Sequence, residues 1–276
     1  MNATLSGIST MHCNLVTDIR VAGETGYDGI EIVDEKLIRY VDQGQEPEML
    51  RDLLARHGVA PRCINALKHV EAQGAACRDM LDRCDRLCDL ARTIGCPAVQ
   101  LVAFEGLADM PQREGLEKTA LNVRQIADIG ADHGIGFQVE VIAWAPIRSL
   151  RQGMELIDRT GRDNVQMVID FWHLWAGRGT TPDDVARLDK DHIRTVHVCD
   201  GKAIPETEPW SESDLRGHLP GDGDVPLRPW VDAVKATGFD GPWVGELLSA
   251  RHWEWDPWTA ATALLERMQV WTPRVA

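Results

Sequence analysis

The chain has 276 residues, of which 44% are hydrophobic. That is enough for one large core, the size of a single α/β barrel, although two smaller domains would also fit. A net charge of −14, with 43 acidic against 29 basic residues, argues against nucleic acid or an anionic membrane as partner and favours a small neutral substrate.

In chain order, short apolar runs rich in β-branched residues recur at 5–9, 29–33, 59–65, 98–104, 136–142, 165–170, 193–198 and 242–248. Their length and composition suit buried parallel strands. Helical patterns lie between them, most clearly at 73–94, 111–133 and 228–237. Glycine closes many of these, as in ARHGV, RTIGC and ADHGI. Strand and helix alternating eight times predict a (β/α)8 TIM barrel, one domain over 1–276. An open doubly wound sheet is the rival, but its glycine-rich phosphate loop is missing after the first strand, where STMHCNL stands instead. Residues 201–226 form one long loop rich in proline, glycine and acid, and a loop of that length predicts function.

Seven cysteines at irregular spacing (13, 63, 77, 84, 88, 96 and 199) read as reduced thiols rather than a disulfide framework, which predicts a cytoplasmic protein. Cys84 and Cys88 are four apart on a helical pattern, but no further cysteine pair completes a metal site. The N-terminus lacks the features of a signal peptide, and no run approaches the roughly 18 apolar residues of a membrane span.

Catalytic groups of a barrel sit at the C-terminal ends of its strands. The fifth predicted strand carries Glu140, the sixth ends in Asp170, the seventh carries His197 and the eighth Glu246. Alternation along a strand lets all four point inward at similar height. Three facing carboxylates repel one another and are costly to desolvate. A divalent cation removes the difficulty, and three carboxylates with one imidazole suit Mn²⁺, Mg²⁺, Co²⁺ or Zn²⁺. The bland alternative gives each acid its own basic partner, yet those strands contain only Arg194.

These residues, together with TGYDGIEI (25–32), GRDNVQMVIDFWH (161–173), HVCD (197–200), LPGDGDVPL (219–227) and GFDGPWVGEL (238–247), resemble the sugar isomerase/epimerase superfamily of xylose isomerase-like barrels. Within it the likeness is greatest to the inosose isomerases. The resemblance implies one divalent metal ion held by Glu140, Asp170, His197 and Glu246, with Glu140 and Glu246 also acting as the acid/base pair. It implies that His173 contacts substrate oxygens, that Arg216 in the long loop does the same, and that Glu31 at a strand end has a structural or substrate-binding role. The implied substrate is a keto-sugar or keto-cyclitol, isomerised or epimerised by proton transfer through a metal-stabilised enediolate.

The same parts would serve a lyase, either a dehydratase or a C-glycoside-type eliminating enzyme. Related 3-dehydroshikimate dehydratases carry a histidine where this chain has Ile142, which counts against that activity. Tryptophans 144, 172 and 175, and then 253, 255 and 258, suit stacking on sugar faces or burial of a rim or subunit contact, and leave a homo-oligomer open. Trp172 beside His173 is the candidate substrate contact among them. A DNA-repair endonuclease of the same superfamily would need a positive groove, and a non-catalytic sugar-binding barrel would not need two glutamates. His12 and His218 read as loop histidines and Cys199 as core filler.

Overall fold

The computed structural model describes residues 2–272. Eight parallel strands close into a barrel in sequence order: β1 (Ala3–Ser6), β2 (Gly29–Val33), β3 (Ala60–Lys68), β4 (Ala98–Val102), β5 (Gly136–Glu140), β6 (Val165–Asp170), β7 (Ile193–Val198) and β8 (Trp243–Gly245). The single-domain TIM barrel expected from the alternating pattern is therefore the fold. The helices expected at 73–94, 111–133 and 228–237 fall at Gly74–Ile94, Gln112–His133 and Leu227–Ala236, each within a residue. Gly95 and Gly134 end the first two in the left-handed conformation, which lacks the steric cost a Cβ would impose.

β1 lies earlier than the expected 5–9, because the chain turns at Gly7. A Cβ there would sit 3.1 Å from the Glu31 carbonyl oxygen and 3.2 Å from the Val33 side chain. The main apolar core fills the shell between barrel and helices. Inside the barrel the layer below the mouth is polar: Gln138 donates to Glu31 at 3.2 Å and to Gln100 at 2.6 Å, and accepts from Thr195 at 3.1 Å. Every member of this layer is buried, so the network replaces water rather than admitting it. At the mouth a second, small apolar cluster of Ala66, Val102, Ile142 and Ala145 is capped by Phe104 and Trp144. Cys84 and Cys88 are buried in the main core, and all seven cysteines are unpaired. Among the described residues no helix is long and apolar enough to cross a membrane.

Candidate metal centre

The register of the barrel sets the site. Asp170 and His197 are paired across β6 and β7, and His197 is paired with Val244, two residues before Glu246. Glu140 closes β5, which pairs with the other edge of β6. The four side chains are buried, and each offers one donor atom within 4.8 Å of all the others. His197 Nδ1 lies 3.2 Å from Glu140 Oε1, 3.4 Å from Glu246 Oε2 and 3.6 Å from Asp170 Oδ2. Donors about 2.1 Å from a shared cation stand roughly 3–4.2 Å apart. These separations fall in that range. His197 Nδ1 and Glu140 Oε1 are buried without a hydrogen-bond partner, and such orphans are uncommon unless something is bound there. The residues fit a divalent cation.

Each ligand is held from behind. His197 Nε2 lies 3.3 Å from Glu31 Oε1, and with Nε2–H donating there Nδ1 is the ring nitrogen turned toward the cluster. Gln100 Nε2 donates to Glu140 Oε2 at 2.9 Å. Asp170 caps the helix Phe171–Ala176: its Oδ1 accepts from His173 N at 2.6 Å, and Cys199 Sγ lies 3.2 Å from the same oxygen. That leaves Oδ2 for the cluster. The D-x-x-H spacing thus has a local cause, since a helix-capping carboxylate binds the amide three residues on, and that residue is His173.

Arg216 enters from the long loop. It is only 4% exposed, and its Nη2 donates to Asp170 Oδ2 at 3.0 Å and to Glu246 Oε2. Its Nη1 donates to Glu212 Oε1 at 3.1 Å and lies 2.9 Å from His173 Nε2. Burial disfavours every charge of this cluster, but the groups divide. At Asp170 burial is outweighed by Arg216, His173 and His197, which hold its carboxyl well below the usual range. Burial also opposes ionisation of Glu246, yet His197 and Arg216 bring it down to about 2. At Glu140 burial prevails, with the Glu246 and Asp170 charges adding to it, and the carboxyl is pushed up to about 8. His197 is penalised by burial, but the surrounding carboxylates, Glu31 first, raise it well above its ordinary value.

The structure brings His173 and Arg216 to the cluster, while Glu31, expected in a structural or substrate-binding role, and Trp172, expected as a substrate contact, lie behind it. Glu31 is fully buried beneath His197, so it orients the ligand instead of facing the mouth. Trp172 is fully buried too: its indole N–H donates to Lys202 O at 2.9 Å, and its ring carries the Arg216 guanidinium 5.3 Å from its centroid. His12 stands at the rim beside Trp253, with ring centroids 5.7 Å apart. Asn65, Glu212 and Asp200 were not anticipated. Asn65 reaches Glu246 Oε1 at 3.4 Å. Glu212 joins Arg216 to the Trp144 indole, which donates to its Oε2 at 3.3 Å. The Glu-x-x-x-Arg spacing in SESDLRG was its available signal. Asp200 accepts from the amides of Gly201, Gly221, Gly223 and Val225 at 2.7–3.0 Å, and so ties down the P-G-D-G turn.

Residues 19–269, a span that includes all four acid and imidazole donors, match the xylose isomerase-like TIM barrel family. The chain belongs to that family. Among its relatives, inosose isomerase of Halalkalibacterium halodurans is 24% identical over 249 residues, which cover 87% of this chain and 85% of that one. The 3-dehydroshikimate dehydratase of Pseudomonas putida is 24% identical over 220 residues, 79% of this chain but only 33% of that protein. Among solved structures, the IolI protein with a bound zinc atom has a TM-score of 0.89 at 21% identity, covering 97% of this chain and 96% of that one.

Proposed function

We propose that this barrel is a cytoplasmic, divalent-metal-dependent isomerase or epimerase of a keto-sugar or keto-cyclitol. The observation that carries the reading is the buried Glu140–Asp170–His197–Glu246 cluster, in which His197 Nδ1 and Glu140 Oε1 lack partners. The likeness to inosose isomerase supports the substrate class, and the zinc in the similar IolI structure supports a metal, of which Mn²⁺, Mg²⁺, Co²⁺ and Zn²⁺ all suit the donors.

Bound there, the cation would polarise the substrate carbonyl and offset the charge of the enediolate. The chain supplies the rest. Glu140 and Glu246 come from β5 and β8, three strands apart around the mouth. One takes the proton α to the ketone. Its return to the neighbouring carbon, with a hydroxyl proton passed between the oxygens, gives isomerisation; delivery by the other glutamate to the opposite face gives epimerisation. His173 and Arg216 orient hydroxyls at the polar side of the mouth, and the Ile142–Val102 wall covers the C–H side.

The likeness to a dehydratase supports a second reading, loss of a β-hydroxyl from a similar keto-polyol. That reaction needs an acid at the leaving oxygen, and Ile142 offers none. The test is elemental analysis of wild type and Asp170→Ala, followed by NMR of inososes and ketoses in deuterium oxide. About one ion per chain in wild type, lost in the variant, with α-proton exchange abolished in Glu140→Gln and Glu246→Gln, is expected. Absence of exchange by metal-loaded wild type across the panel would overturn the reading.

A further inference from the structure

A cavity of about 530 Å³ opens among the loops around the barrel mouth. Its walls are the segments that follow β4, β5, β6 and β7, so it lies on the same face of the barrel as the cluster. Two indoles, Trp144 and Trp210, line it together with Arg178, Arg148 and glutamates from the β4 and β7 loops. Neither the catalytic proposal nor the metal uses these groups.

Three features show that the cavity is built rather than left over. Gly177 lines it where the β5 and β6 loops nearly touch: an added Cβ would lie 2.8 Å from Arg148 O and 3.2 Å from Ala143 Cα. Arg178, the next residue, is held at φ 49°, a left-handed conformation that a non-glycine residue adopts at a cost. Trp144 is fixed on both sides, stacked on Phe104 at 5.4 Å between centroids and 4° between planes, with its N–H on Glu212.

The cavity is also coupled to the site. Ala143 lines it and donates its amide to His173 Nδ1 at 3.2 Å, and Trp144 meets Glu212, the partner of Arg216. A group here is thus one residue away from the two side chains that address substrate hydroxyls. Its chemistry can be read from the walls. Indole faces accept the C–H face of a pyranose, and carboxylates and guanidinium groups bond pairs of hydroxyls. Two arginines stand against Glu105, Glu206 and Glu208, so the lining has no excess of positive charge for a phosphate or sulfate.

We infer that this cavity is a subsite for a second, neutral glycosyl ring, so that the substrate is a glycoside of the keto-polyol rather than a single ring. The inference rests on the proposed function for the ring at the metal, but not on turnover for its test. Metal-loaded protein is titrated by calorimetry with glucose, sucrose, maltose and cellobiose, none of which carries the free ketone of a cyclic substrate. At least one disaccharide is expected to bind about tenfold or more tightly than glucose, a gain comparable with one aromatic stacking contact and its hydrogen bonds. Trp210→Ala should remove that gain while leaving the glucose affinity and the metal content unchanged. Arg178→Gly, which relieves the backbone and removes the guanidinium, should weaken the same disaccharide only. Equal affinity for glucose and every disaccharide, or equal losses for both in Trp210→Ala, would overturn the subsite. Failure of α-proton exchange with intact disaccharide binding would instead count against the proposed reaction.

Discussion

His197 Nε2 lies 3.3 Å from Glu31 Oε1, and neither side chain has any exposure. One nitrogen of the ring is thereby committed to a carboxylate behind it, and the other points at the acid cluster. Carboxylate–histidine pairs of this kind fix tautomer and ring orientation. Glu31→Ala should therefore lower affinity for Mn²⁺ or Zn²⁺ by about 10–100-fold. Competition against a fluorescent chelator measures this, with circular dichroism as the check on folding. Unchanged affinity in a folded variant would remove Glu31 from the metal centre.

Arg216 places a positive charge on two of the oxygens a cation would take, Asp170 Oδ2 and Glu246 Oε2. It also crowds His173: Ala143 N–H occupies Nδ1, so in the neutral ring Nε2 bears the hydrogen and faces the Nη1 donor. Arg216 is thus better placed to meet an incoming charge or hydroxyl than to stay. Arg216→Met should raise divalent-metal affinity about tenfold, the worth of a charge-assisted hydrogen bond. Turnover should fall about 100-fold or more through lost substrate orientation. Reduced metal affinity in the variant would mean that the guanidinium supports the loaded centre instead of competing with it.

Metal binding should release protons. In the metal-free chain Glu140 is pushed up to about 8 by burial and its acidic neighbours, and His197 is held well above its ordinary value despite burial. Both carry protons at pH 7 and must lose them to act as ligands, so apparent affinity falls as the pH is lowered below about 8. The same shift has a stability consequence. A carboxyl raised on folding binds its proton more tightly in the folded state, so its contribution diminishes as pH rises from the unfolded range through 8. Calorimetric titration at pH 7 in two buffers of different ionisation heat should show one to two protons released per ion. Buffer-independent heats would contradict this.

The barrel was legible because its strands are short apolar runs and the helices at 73–94, 111–133 and 228–237 have the 3.6 period and a glycine stop. The four donors were legible because burying a carboxylate or imidazole among Val and Ile at a strand end is costly unless a counter-charge or a cation meets it there. Glu31 and Trp172 were harder to place, since sequence gives the strand or helix but not which layer of the barrel a side chain enters. The roles of Asp200 and Glu212 were missed for another reason. Asp200 gathers amides 20 or more residues away, and Glu212 acts by linking Arg216 to Trp144, which precedes it by 68 residues. Trp210 lies in the long loop that the sequence marked as functional, and composition alone could not say which wall it would form.

The first strand's loop depends on a buried ion pair. Lys36 Nζ donates to Asp18 Oδ2 at 2.7 Å, Gly7 O at 2.9 Å and Thr10 O at 2.8 Å, and Thr10 Oγ1 donates to Asp18 Oδ1 at 2.7 Å. The two charged side chains are 3% and 1% exposed. Lys36 thus closes the turn that follows β1 at the mouth. Burial outweighs the lysine's attraction, and the Asp18 carboxyl is pushed up to about 6. Removing the lysine leaves a buried charge and two carbonyls without their donor, so Lys36→Met should cost about 3–5 kcal/mol in urea unfolding. Without its cation Asp18 will take a proton more readily still. The deficit should therefore shrink as pH falls from 7 to 5, and Lys36→Met/Asp18→Asn should recover part of it at pH 7. A loss below about 1 kcal/mol, the range of an exposed pair, would show that the turn holds without this pair.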